Sequence, residues 1–136
     1  VKVLELLLYL GTEKIQNTQV KVPYFAHTQV KKVKEIQKYM VSNLRQHYTL
    51  EQLSEQFDIP LTSMKACFKG VFGCSIYAYI KSYRMQAATV LLQNSDCSIT
   101  EIAMKMGYDN PSKFSEVFKK EYEMTPSEFR KKYIKA

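Results

Sequence analysis

The apolar and polar positions along the chain fall into helical periods from Gln29 onward. Gln29 to Arg45 carries Val30, Val33, Ile36, Met40 and Leu44 at the three-to-four spacing of one buried helix face, with Lys31, Lys32, Lys34 and Lys38 on the outer side. A short segment follows with Leu50, Leu53, Ser54 and Phe57 on its inner face. The next helix turns Met64, Cys67, Phe68, Val71 and Phe72 inward and Thr62, Lys65, Ala66 and Lys69 outward. Ser75 to Gln93 is longer, with Ile80, Tyr83, Ala87, Ala88, Leu91 and Leu92 as its apolar positions. The pattern then recurs: Ile99, Ile102, Ala103 and Met106 form one short face. Phe114, Val117, Phe118 and Tyr122 form another, opposite Ser112, Ser115, Glu116 and Lys119. The predicted fold class is all-α.

Helix starts are written into the sequence. Ser98 with Glu101, and Thr49 with Gln52, have capping-box spacing, in which each side chain satisfies a backbone N–H of the other residue. Asn110 before Pro111 supplies an N-cap and a first-turn proline whose missing N–H costs nothing. Thr125, Pro126 and Glu128 combine both devices. Gly107 sits where the helix after Ser98 must stop, and Asp58 stands at the matching place in the earlier copy. A capped short helix, a tight turn and a second amphipathic helix make a helix-turn-helix. The chain holds two of them. Leu50, Leu53, Ser54 and Phe57 match Ile99, Ile102, Ala103 and Met106. Met64, Phe68, Lys69, Phe72 and Ser75 match Phe114, Phe118, Lys119, Tyr122 and Thr125, with one extra residue in the second turn. Gly70 interrupts its helix at a cost of about 1 kcal/mol relative to Ala, which suggests a close approach.

These elements predict a first helix-turn-helix subdomain over 29–74, a linker helix over 75–93 and a second subdomain over 94–136. At a rise of ~1.5 Å per residue the linker helix spans about 27 Å. That rod would hold two recognition helices near one turn of B-DNA apart, about 34 Å. Residues 1–28 read as a remnant helix and linker from an upstream effector or dimerisation domain. Val1 to Leu10 is the most hydrophobic decapeptide, and the chain begins with Val, as expected of a fragment of a longer protein.

Composition narrows the partners. Twenty Lys and Arg against thirteen Asp and Glu give +7, a surplus that suits a polyanion. Cys67, Cys74 and Cys97 lack C-x-x-C spacing and only His27 and His47 accompany them, so neither a metal site nor a cofactor site is expected. No convergent His, Cys or carboxylate cluster of the kind hydrolytic or transfer chemistry needs is legible, which argues against an enzyme. No run approaches the ~20 apolar residues of a membrane helix.

Residues 107–130, GYDNPSKFSEVFKKEYEMTPSEFR, resemble the signature of the AraC/XylS family of bacterial transcription regulators, G-Y-x-x-x-S-x-F-S-x-x-F-K-x-x-x-G-x-T-P-x-x-Y-R. Ser75 to Leu92, with Arg84, Met85, Ala88, Leu91 and Leu92, resembles the family's linker-helix segment R-L-x-x-A-x-x-L-L. The resemblance covers about residues 30–133. Glu123 stands where the family usually has Gly, and Ile76 where Pro often opens the linker helix; both departures concern turn geometry.

The resemblance implies homeodomain-like repeats that bind double-stranded DNA in the major groove, within a cytoplasmic regulator that acts as an activator and touches RNA polymerase. A homodimer through the upstream domain or through Val1 to Leu10 is a further implication. By the same resemblance, Thr62, Lys65 and Ala66 take the base-reading positions of the first copy, and Pro111, Ser112, Ser115 and Glu116 those of the second. Short hydroxyls and amines reach base edges without blocking entry to the groove, a methyl meets thymine, and a carboxylate accepts from cytosine. Lys69, Lys113, Lys119 and Lys120 suit phosphate, because a flexible point charge carries little sequence information. The alternative is a helical protein-interaction module without DNA binding.

Overall fold

The computed structural model describes residues 25–133, whose regular structure is helical throughout. In chain order the helices are α1 His27–Ser42, α2 Leu50–Gln56, α3 Leu61–Phe72, α4 Ile76–Asn94, α5 Ile99–Lys105, α6 Pro111–Tyr122 and α7 Pro126–Tyr133. The apolar stretch Val1 to Leu10 lies outside the described residues.

The helix starts form as the capping signals predict, with one difference. Thr49 Oγ1 accepts from the Gln52 amide at 3.1 Å and the Gln52 side chain accepts from the Thr49 amide at 2.9 Å, a complete box. At Ser98 only half of the box is made: its Oγ accepts from the Glu101 amide at 3.1 Å, and Glu101 does not reach back. Asn110 Oδ1 accepts from the amides of Ser112 and Lys113 at 2.9 and 3.4 Å, and Thr125 Oγ1 accepts from that of Glu128 at 3.2 Å.

Both inner turns close by one mechanism. After α2, the Ile59 amide donates to Ser54 O at 3.1 Å and the Asp58 amide to Glu55 O at 3.3 Å. After α5, the Tyr108 amide donates to Ala103 O at 2.9 Å and the Gly107 amide to Met104 O at 3.0 Å. This is the Schellman arrangement, which places the residue after the helix cap in the left-handed region. Asp58 and Gly107 occupy it at φ of 50° and 84°. Gly73 and Glu123 stand in the same region at the ends of α3 and α6, at φ of 82° and 61°. Glu123, in the family's usual glycine position, therefore keeps the backbone shape that glycine would take. Gly70 continues α3 without a break, and a Cβ there would lie 2.6 Å from the Phe25 ring, so the expected close approach is real.

Two cores result. Val33, Ile36 and Met40 of α1 meet Leu53 of α2 and Met64, Cys67 and Phe68 of α3 in the first. Ile102 and Ala103 of α5 meet Phe114, Val117 and Phe118 of α6 and Phe129 of α7 in the second. Each fully buried Phe, Ile, Leu or Met contributes about 1.5–3 kcal/mol of transfer free energy. Burial also pushes the Cys67 thiol above its ordinary pKa, keeping it neutral inside the first core. Helix α4 belongs to both cores: Ile76 closes the first, and Met85, Ala88 and Leu92 wall the second.

The buried stripe of α4 departs from the apolar positions read in the sequence. Ile80, Tyr83, Ala87 and Leu91 are half-buried, whereas Ile76, Arg84, Met85, Ala88 and Leu92 are buried. Arg84 lies within an apolar face because the chain places two carbonyls over it. Its Nε donates to Leu44 O and its Nη2 to Gln46 O, both at 2.9 Å. This contact explains why α1 stops at Ser42 and not at Arg45. Leu44 leaves the helix axis, packs against the second core, and turns its carbonyl toward Arg84. Arg130 repeats the clamp one unit later, donating to Leu92 O at 3.1 Å and Ser95 O at 3.2 Å.

Candidate nucleic-acid interface

The second helix of each unit presents its outward face by the same spacing. On α3, Thr62, Lys65, Ala66 and Lys69 fall at i, i+3, i+4 and i+7 and are all exposed. The α6 residues at the same spacing are Ser112, Ser115, Glu116 and Lys119, with Ser115 half-buried. Their opposite faces carry Met64, Cys67 and Phe68, or Phe114, Val117 and Phe118, so core packing fixes which side chains look out.

The two faces differ in charge. Lys65 and Lys69 of α3 have no carboxylate within ion-pair distance among the described residues. On α6, Glu116 lies 3.9 Å from Lys113 and 3.7 Å from Lys120. All three are more than half exposed, so these pairs contribute a few tenths of a kcal/mol at most. Their effect is local, drawing two cations toward the middle of the face. Lys113, read in the sequence as a phosphate residue, thus stands beside Glu116 in the free protein, in a pair too weak to hold it from other partners. Pro111 is half-buried at the first position of α6 and has no N–H to donate, leaving apolar contact as its only means of reading a base.

A junction between the units sets how these faces stand. The His47 ring shares a hydrogen bond with Gly107 O at 2.5 Å, across the gap from the first unit to the turn of the second. A Cβ on Gly107 would lie 3.0 Å from Leu44 O, Arg45 O and the His47 ring alike. Ser82 of α4 donates to Glu121 of α6 at 3.1 Å. Burial lowers the pKa of the Arg84 guanidinium, while the neighbouring Tyr108 and Tyr77 hydroxyls raise it. Sequence reasoning missed this junction. The signal was present in Arg84 itself, a charged residue on the four-residue ladder Ile76, Ile80, Arg84, Ala88.

Among the described residues no group of His, Cys, Asp and Glu is placed to hold a metal, and no helix is long and apolar enough to cross a membrane.

Comparison with known proteins decides what this architecture is. Residues 53–132 match the family described as a helix-turn-helix domain, in its AraC-type form. The chain belongs to the AraC-type helix-turn-helix family. This is a family of DNA-binding transcription regulators and not of enzymes. A curated relative, the HTH-type transcriptional regulator ExsA of Pseudomonas aeruginosa, is 35% identical over 98 residues, covering 72% of this chain and 35% of that protein. The C-terminal domain of the two-component response regulator yesN from Fusobacterium nucleatum superposes with a TM-score of 0.64 at 31% identity, covering 72% of this chain and 93% of that one. The DNA-binding domain of AdpA, solved in complex with a target DNA, shares the fold at a TM-score of 0.70 and 21% identity, covering 74% of this chain and 91% of that one. The chain spans about 35–40% of the length of the curated relatives it matches. The AraC-type signature glycine at 107 now has a local cause in this chain: its missing side chain leaves room for the loop from Leu44 to His47.

Proposed function

We propose that this chain is the DNA-reading part of a bacterial transcription regulator, with α3 and α6 entering the major groove of one duplex. Double-stranded DNA binding within a regulator follows from the family. The observation that carries the finer reading is the matched pair of outward faces, spaced alike on two helices that share a common support in α4. In this reading the first unit, 29–74, reads bases with Thr62, Lys65 and Ala66. The second, 94–136, uses Pro111, Ser112, Ser115 and Glu116, and helix 75–93 fixes their separation. Lys69, Lys113, Lys119 and Lys120 take phosphates. Lys65 donates to guanine, whereas Glu116 accepts from the cytosine amino group. The whole regulator is cytoplasmic, works with RNA polymerase, and dimerises through parts beyond these helices.

The test is the salt dependence of duplex binding. Four lysine–phosphate contacts give a slope of log affinity against log salt of about −3.6, at −0.9 per phosphate. Binding that ignores salt, or none at low salt, would sink the reading and favour a protein-interaction module.

A further inference from the structure

Between α3 and the start of α4 lies an open depression of about 300 Å³, lined by Leu50, Lys65, Lys69, Ser75, Ile76 and Tyr77. Its lining is mixed in a particular way. Leu50, Ile76 and the Tyr77 ring are apolar, whereas two ammonium groups, a serine hydroxyl and a phenol stand among them. Tyr77 is 72% exposed, which core packing does not require. Ser75 Oγ already accepts from the Ala78 amide at 3.1 Å, so its hydroxyl proton remains to be donated outward. Lys65 and Lys69 belong to the outward face of α3, so the depression opens beside the residues assigned to DNA.

Resting on the DNA-binding reading, we propose that this depression seats one sugar–phosphate unit of the duplex backbone, with Tyr77 as the residue that fixes its position. The deoxyribose lies against Leu50, Ile76 and the Tyr77 ring. The phosphate accepts from the Tyr77 and Ser75 hydroxyls and is neutralised by Lys69, and Lys65 runs along the rim toward the base edges. The chain's internal repeat supports the assignment. At the same positions of the second unit stand Ser115 in place of Lys65 and Ser127 in place of Tyr77, while Lys119 matches Lys69. The second unit thus keeps one cation but loses the ring and the other lysine. The seat is a property of the first unit, and it anchors the register from which α3 reads.

The experiment measures affinity of the whole chain for its selected duplex, and for copies of it bearing one uncharged methylphosphonate at successive backbone positions. Tyr77→Phe is expected to lower affinity about ten-fold on matched and mismatched duplexes alike, as loss of one hydrogen bond to a charged acceptor implies, and Tyr77→Ala by more, since the ring is lost as well. Lys69→Gln is expected to lower the salt slope by about 0.9. One methylphosphonate position is expected to weaken wild type and to abolish the effect of Tyr77→Phe. Should Tyr77→Ala disturb the thermal midpoint, Tyr77→Phe, which keeps the ring, carries the test. Wild-type binding that is unchanged in both Tyr77 variants overturns the seat, as does a Tyr77→Phe loss that no methylphosphonate position removes. If wild type binds no duplex, the DNA reading itself fails, an outcome distinct from either.

Discussion

Asp58 and Gly107 hold the same place in the two inner turns, and Gly73 and Glu123 hold the same place after the two recognition helices. All four are left-handed, yet glycine fills the turn in one unit and the cap in the other. The exchange shows what glycine is required for. A side chain in the left-handed region costs about 1–2 kcal/mol, which a Schellman turn with good hydrogen bonds tolerates at Asp58 and Glu123, both exposed to solvent. At Gly107 the backbone angle is the lesser constraint. The position faces Leu44 O, Arg45 O and the His47 ring, so a side chain would push the two units apart. The arginine clamps differ in a similar way. Arg84 is 9% exposed and ties the first unit's loop beneath the second, whereas the half-buried Arg130 ties the end of α4 to α7.

Removing the clamps should break this comparison most sharply. Arg84→Ala is expected to cost about 3–4 kcal/mol of unfolding free energy, because it strands two carbonyls and opens a cavity. Arg130→Ala is expected to cost about half as much, its carbonyls being nearer water. Equal losses in urea melts would show that the junction is no more demanding than the chain terminus. Next in size, Gly107→Ala should destabilise by about 2–3 kcal/mol, combining backbone strain with three contacts that must shift. Glycine at position 58 should do the reverse, with Asp58→Gly gaining about 0.5 kcal/mol at most from relief of left-handed strain.

The reading faces sharpen the contrast at smaller scale. Lys65→Ala should weaken binding to the preferred site by about 1–2 kcal/mol. Glu116→Ala should relax preference at one cytosine while leaving non-specific affinity equal or higher, since it removes a negative charge beside Lys113 and Lys120 that repels phosphate. Titrations on matched and single-base-changed duplexes separate these outcomes. Equal loss on every sequence for Glu116→Ala would assign it to the fold. Smallest and simplest is thiol labelling. Cys67, buried and held protonated, should react with an alkylating reagent far more slowly than Cys74 or Cys97, which are half-buried.

Helix order, caps and the internal repeat were legible because each depends on residues close in sequence. Thr49 with Gln52 and Asn110 with Pro111 announce helix starts within one turn, and Phe68 and Phe118 mark matched core positions by spacing alone. Contacts made across the chain were not legible. No local pattern tells that Arg84 finds the carbonyls of Leu44 and Gln46, some forty residues away, or that α1 must stop early to deliver them. The half-made box at Ser98 shows the opposite limit: correct spacing permits the second hydrogen bond without enforcing it on an exposed Glu101. The outward faces of α3 and α6 followed from periodicity, whereas the depression beside Tyr77 did not, because it joins residues of two helices and a cap.

The sharing of α4 between two cores bears on how the molecule comes apart. In bead-like repeats each unit closes its own interior, and one can melt while its neighbour stands. Here a cut between Ile80 and Arg84 would leave each interior its own residues of α4, yet the second would lose Leu44, and Arg84 would lose the carbonyls of Leu44 and Gln46. The halves are bound by the unbroken helix together with this junction and the His47–Gly107 hydrogen bond, so heat or denaturant should remove both in a single cooperative step. A destabilising change far from either recognition helix would then lower the population of both together, and a weak mutation in one half would read out as lost occupancy at the other half's stretch of DNA.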